Sequence, residues 1–161
     1  MDAQARLDAP CAPSELFAWV DDLSLYPRWM GLVHRVEVEP AGPDEEPAWM
    51  VELRARVGPL ARSKRLRMVR TQRDQDRTVV FERRESDGRS HSPWILRVEV
   101  RPTANGNGGG GNAGAAPHSS LDVHLHYGGR LWTGGLLERA LADEIERGRD
   151  RLYELVSSPT R

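Results

Sequence analysis

The segment 136–156 constrains the fold most, because its pattern predicts a long helix with one apolar side. Apolar and small residues recur along it at helical spacing: Leu137, Ala140, Leu141, Ile145, Gly148, Leu152 and Leu155. Charged residues occupy the opposite side. A helix of this kind must bury its apolar stripe against another element, so the rest of the chain has to supply a partner surface.

The residues between 33 and 127 supply that surface as strands. Apolar and polar residues alternate most regularly over 49–57, and turn-forming residues separate further strands near 60–73, 79–84, 94–101 and 121–127. A shorter strand at 3–9 precedes two short helices, the first with Ser14 as its N-cap and the second with Pro27 suited to its first position. The predicted fold class is α+β, a curved antiparallel sheet of about seven strands around the long C-terminal helix.

Length and composition set the broad class of protein. A chain of 161 residues is predicted to form one domain over 1–161, with a flexible glycine-rich loop at 104–118. The balance of 23 basic and 24 acidic residues gives no net field that would attract nucleic acid or a membrane surface. Neither a signal peptide nor a transmembrane segment is evident, and the lone Cys11 cannot form an internal disulfide, so a cytoplasmic location is predicted.

A group of residues near the N-terminus carries a family resemblance: Ala12-Pro13, Trp19, Tyr26-Pro27, Trp29 and Val33. With the order of elements, these residues resemble the START-like helix-grip superfamily, in particular its polyketide cyclase/dehydrase and lipid-transfer branch. The resemblance covers nearly the whole chain apart from the glycine-rich loop. It implies a cavity between sheet and helix, but members of the superfamily include cyclases, ligand carriers, hydrolases and proteins that act on ribosomes, so it implies the fold more strongly than the activity.

The predicted function is binding of a hydrophobic small molecule, lipid-like or polyketide-like, in that cavity. No cofactor is predicted. The candidate ligand-binding residues are mostly large and apolar: Trp29, Trp49, Val51, Leu53, Leu66, Met68, Phe81, Trp94, Leu96, Val98, Leu125, Tyr127, Leu141 and Ile145. The competing interpretation of each residue is ordinary core packing.

The sequence does not decide between two registers of the predicted strand near 60–73. Strict alternation places Leu66 and Met68 inside, whereas a one-residue slip or bulge would turn Arg65 and Arg67 inward. In cyclase relatives a cavity arginine is thought to orient a carbonyl-rich chain, and Arg65 looks similarly placed. Tyr26 and Tyr127 are the other catalytic candidates. Because no clear acid/base pair is evident, the sequence favours a carrier but does not separate it from a cyclase/dehydratase.

An alternative function comes from the segment Arg54–Arg73, which carries eight basic residues and no acidic one. As a basic stripe it could bind RNA, a ribosome or an acidic partner. The stripe lacks aromatic residues for base stacking, and Glu82 and Glu85 on the next strand could pair with its arginines, so nucleic acid is the disfavoured partner.

Histidine and cysteine are weaker candidates for site residues. His124 and His126, with His118 before them, have spacing that could meet a metal, but alternation places the first two on the solvent side. No metal site is predicted. Cys11, at a strand end, is predicted to be a buried and inert thiol.

Overall fold

The computed structural model describes residues 2–57, 60–103, 117–129 and 136–158, and within these ranges the side chains outside 55–57, 60–62 and 136–142. This part of the chain contains the predicted elements in the predicted order. They are β1 Asp2–Ala9, α1 Pro13–Val20, a 3-10 helix Leu23–Arg28, β2 Val33–Val38, β3 Ala48–Val57, β4 Leu60–Asp74, β5 Thr78–Arg83, β6 Trp94–Pro102, β7 Ser119–Tyr127 and α2 Leu136–Ser157. The predicted glycine-rich loop lies almost entirely outside the described residues.

The strands form one antiparallel sheet in the order β1-β7-β6-β5-β4-β3-β2. Helix α2 contacts both β1 and β3, which are separated by five strand-to-strand steps. In a flat sheet those strands would be about 24 Å apart, whereas a helix with its side chains is only about 10–12 Å wide. The sheet must therefore curl around α2, and the predicted helix-grip fold is confirmed.

Burial of α2 follows its sequence pattern. Ile145 and Leu152 are buried, with Leu152 completely inaccessible, while Glu146 and Asp150 are exposed. A Cβ atom on Gly148 would lie 3.3 Å from the backbone oxygen of Trp29, so glycine lets the helix approach this part of the chain closely. Burying a side chain the size of Leu152 contributes about 1.5–3 kcal/mol to folding.

The start of α1 differs from the prediction. The helix begins at Pro13 and its N-cap is Ala12, so Ser14 is a helical residue and not the cap. Proline at the first position needs no hydrogen-bond acceptor, and the Glu15 carboxylate accepts a hydrogen bond from the Ala12 N–H at 3.0 Å. Pro27 likewise lies inside the 3-10 helix and not at its first position.

Strand β4 has the register that strict alternation of its residues predicts. Leu66 and Met68 are buried, whereas Arg65 is exposed and Arg67 is half-buried on the opposite face. An irregularity of the β4–β5 pairing does occur, but it lies between Arg70 and Gln72, beyond the arginines in question. The register that would turn Arg65 and Arg67 inward is therefore not the one observed.

No helix in the described part of the chain is long and apolar enough to span a bilayer. The cytoplasmic location and the single-domain boundary at 1–161 stay predictions.

The end of α1 is fastened to β4 by one carboxylate. Asp21 accepts a bond from Arg70 Nη1 at 3.1 Å and from Arg73 Nη2 at 2.8 Å, and its side chain is only 16% exposed. Arg70 Nη1 also donates to the Asp21 backbone oxygen at 3.2 Å. Because two cations share this acceptor, the carboxylate holds the first helix on the sheet.

We predict that Asp21→Asn lowers the free energy of unfolding by about 2 kcal/mol, because it leaves two partly buried guanidinium groups without a counter-charge. Urea denaturation measures the change. The matched control is Asp8→Asn, which removes an ion pair with Arg6 whose side chains are both more than half exposed, and should cost less than about 0.5 kcal/mol. Equal effects of the two substitutions would contradict this account.

The one cysteine is enclosed at the end of β1. Cys11 is 3% exposed, its Sγ atom lies 3.8 Å from Ser119 Oγ, and the Ser119 hydroxyl donates to the Cys11 backbone oxygen at 2.9 Å. Burial raises the pKa of the thiol above its usual range. Both effects suppress the reactive thiolate.

We predict that iodoacetamide alkylates Cys11 in the folded protein about 100-fold more slowly than an exposed thiol, since reaction waits for local opening. Mass spectrometry of timed samples measures the rate. The comparison is Ser86→Cys in a Cys11→Ala background, because Ser86 is exposed. Rapid labelling of Cys11 without denaturant would show that the thiol is accessible.

Candidate functional site

An apolar cavity lies between the inner face of the sheet, the 3-10 helix and α2. It is lined by fourteen described residues: Leu23, Tyr26, Met30, Leu32, Val33, Val51, Leu53, Leu66, Met68, Trp94, Leu96, Val123, Leu125 and Ile145. None of them is charged, and only Tyr26 and Trp94 carry a polar side-chain group. The wall therefore offers a ligand contact surface and almost no hydrogen bonding.

The cavity is modest in size. The cavity has a volume of about 60 Å³. Pockets that enclose drug-sized molecules are typically about 300–1,000 Å³. As bounded by the described residues, the cavity suits a small apolar body, such as one or two rings or a chain of medium length.

Eight of the predicted ligand-binding residues line this cavity: Val51, Leu53, Leu66, Met68, Trp94, Leu96, Leu125 and Ile145. They come from β3, β4, β6, β7 and α2, as the alternation of these strands and the stripe of the helix predict. The side chain of Leu141 lies outside the described set.

The other predicted wall residues pack elsewhere in the core. Trp49 and Phe81 meet edge to face with ring centres 5.5 Å apart, and Tyr26 lies 4.6 Å from Trp29 and 6.3 Å from Phe81. This aromatic cluster forms part of the packed core.

Two further predicted wall residues are not among the described residues that line the cavity. Val98 is buried in the core, and the Tyr127 ring packs on Trp94 at 5.0 Å. Trp29 borders a separate small void, and its Nε1 atom has no hydrogen-bond partner among the described residues.

Sequence reasoning missed five wall residues: Leu23, Met30, Leu32, Val33 and Val123. Val123 could have been found, because it alternates inward with Leu125 on β7. The other four come from the 3-10 helix and the chain leading into β2, where no regular period indicates which side chains face inward.

The two tyrosine candidates differ in their surroundings. The Tyr26 hydroxyl is buried and donates a hydrogen bond to the Val20 backbone oxygen at 3.0 Å. Burial, followed by the nearby Asp21 and Asp22 carboxylates, raises its pKa far above the usual range. Tyr26 is thus held as a neutral structural donor. The Tyr127 ring lies beneath the Lys64 ammonium, whose nitrogen is 5.1 Å from the ring centre.

Arg65 and Arg67 lie on the outer face of the sheet. Arg65 is 59% exposed and pairs with Glu37 at 3.4 Å, while Arg67 donates to Glu39 at 2.7 Å. Glu37 lies on β2 and Glu39 directly follows it, so the two arginine side chains extend across β3. The predicted ion-pair partners were wrong, since Glu82 pairs with Arg84 and Glu85 pairs with Arg83.

The histidines of β7 face outward. His124 and His126 are exposed, and His126 Nδ1 lies 2.8 Å from the Asp2 carboxylate, which lowers the pKa of Asp2. The described residues hold no group of three His, Cys, Asp or Glu side chains that could bind a metal.

Comparison with solved structures identifies the fold. A START superfamily protein from Mycobacterium smegmatis superimposes with a TM-score of 0.69 at 15% identity, over 96% of each chain. The protein TTHA0849 from Thermus thermophilus gives 0.69 at 13% identity, over 97% of each chain. The di-domain ARO/CYC BexL of the BE-7585A biosynthetic pathway gives 0.62 at 10% identity, and the match covers 99% of this chain and 51% of that one.

Sequence comparison identifies the family. No curated protein matches the chain in sequence. The family model described as polyketide cyclase / dehydrase and lipid transport matches residues 2–157. The chain therefore belongs to the START-like polyketide cyclase/dehydrase and lipid-transport family.

Proposed function

We propose that this protein binds a small hydrophobic molecule in the cavity between its sheet and α2, and that it acts as a carrier. The observation that carries the proposal is that none of the fourteen described residues lining the cavity has a charged side chain. Such a wall stabilises an apolar ligand by removing its surface from water, at about 25 cal/mol per Å². The family's own description, which includes lipid transport, supports the same class of ligand.

The absence of an acid/base pair on the described cavity wall favours a carrier over a cyclase/dehydratase. General acid/base catalysis needs a group that exchanges a proton within hydrogen-bond reach of the substrate. Among the described wall residues only Tyr26 has an ionisable group, and its hydroxyl donates a hydrogen bond to the Val20 backbone oxygen. Arg65, the candidate for orienting a carbonyl, is on the other face of the sheet.

The alternative of an interaction module finds less support in the charges of β4. Among the described residues, Arg65, Arg67, Arg70 and Arg73 each bind a carboxylate of the same chain. Phosphate binding would have to displace these internal partners. Because these arginines are already paired within the chain, the cavity is better supported than the basic stripe as the functional feature.

We predict that Leu96→Trp weakens binding of the neutral two-ring dye 1-naphthylamine by about tenfold or more, because the indole occupies cavity space. Fluorescence titration measures the affinity, and thermal melting checks that the variant folds. The matched control is Ile95→Trp on the same strand. Ile95 faces the outer side, opposite His126 and Glu82, so this variant should bind the dye as the wild type does.

Two results would contradict the proposal. One is dye binding that both tryptophan variants leave unchanged, which would place the dye outside the cavity. The other is a wild-type protein that binds neither this dye nor 1-octanol under conditions where it is folded.

A further inference from the structure

The chain contains a single lysine, and the structure places it beside the cavity. Lys64 lies on the inner face of β4, two residues before Leu66, and its Cα partner across the sheet is Leu53 on β3. Both leucines line the cavity. The Lys64 side chain is exposed, so its ammonium group stands where the apolar wall meets solvent.

The Lys64 side chain contacts a residue on β7, a strand that is not adjacent to β4. Its nitrogen lies over the ring of Tyr127 on β7, and that ring packs against the cavity residue Trp94 at 5.0 Å between centres. Strand β5 ends at Arg83, which pairs with Met68, so the first half of β4 extends past it. Lys64 can therefore bridge from β4 to β7 at the edge of the cavity.

Lys64 and the neighbouring arginines of β4 differ in the groups that contact their charges. Along β4, the arginines at 65, 67, 70 and 73 each have a carboxylate partner. Lys64 has no such partner among the residues that the structure describes; its contact is the Tyr127 ring. A cation–π contact at an exposed position contributes only about 0.5–1 kcal/mol, so the ammonium group can exchange it for a stronger partner.

We infer that the ligand of this cavity is an amphipathic carboxylate, with its apolar body against the cavity wall and its acidic group bound to the Lys64 ammonium. This inference rests on the proposed function and adds the chemical class of the ligand. One ammonium group balances one negative charge, which matches a carboxylate better than a doubly charged phosphate. A charge-assisted hydrogen bond to the ammonium group fixes which end of the ligand faces solvent.

The test uses three ligands that share an eight-carbon chain: octanoate, 1-octanol and octylammonium. The affinity of each is measured by displacement of 1-naphthylamine from the wild type and confirmed by calorimetry. Octanoate should bind about tenfold more tightly than 1-octanol, and octylammonium should bind most weakly. Added salt should weaken octanoate binding and leave 1-octanol binding unchanged.

Substitutions assign the preference to one side chain. Lys64→Met keeps most of the side-chain length and removes the charge, so its octanoate affinity should fall to the 1-octanol level while its 1-octanol affinity stays that of the wild type. Lys64→Arg should retain the preference. The matched control is Arg65→Met, which removes the adjacent cation from the opposite face of the strand and should change neither affinity.

The outcomes separate this inference from the proposed function. If the wild type binds 1-octanol but does not prefer octanoate, or if Lys64→Met keeps the full preference, the carboxylate assignment is overturned and cavity binding stands. If the wild type binds no member of the series, both are overturned. Because the salt dependence is measured on the wild type, the result does not depend on how a variant folds.

Discussion

The structure depends on burial of the apolar stripe of α2. An isolated helix of this length, with so many charged residues, has no reason to persist in water unless its apolar side finds a surface. The sheet provides that surface only by curling, because the helix contacts β1 and β3 together. Ile145, Gly148 and Leu152 form the buried line of contact, and Gly148 brings the helix close to Trp29 and Met30.

The curl also determines where space remains. A concave sheet offers more inner surface than one helix can cover, so other side chains must fill the difference. The aromatic cluster around Tyr26, Trp49 and Phe81 fills one region. The aliphatic residues around Leu66 and Leu125 border the space that is left. Among the described residues the cavity wall is mostly aliphatic, with Tyr26 and Trp94 as its two aromatic members.

Much of the fold could be predicted from the sequence, because the spacing of apolar residues within a strand or helix is a local property of the chain. The two-residue alternation of β3 and β7 and the helical spacing of α2 each identify an inner face without knowledge of the partner element. The cap of α1 was misjudged because Ser14 matches a common signal, whereas the actual start depends on Pro13 and the reach of Glu15.

The site was harder to predict, because cavity walls depend on long-range packing. Trp49 and Phe81 lie on the predicted face, but their rings contact each other and neither is among the described residues that line the cavity. Val33 and Met30 line the cavity from a region without a regular period. Lys64 was overlooked beside the more numerous arginines, and its position over Tyr127 depends on strands that are distant in sequence.

The central claim is that the space between the sheet and α2 holds an apolar ligand. The most direct measurement is the set of intermolecular nuclear Overhauser effects between 1-octanol and the labelled methyl groups of the protein. We expect contacts to Leu66, Leu125 and Ile145, and none to Ile95 on the outer face or to the exposed Val38 on the edge strand β2. Contacts only to the outer methyl groups, or none to those of the cavity, would contradict it.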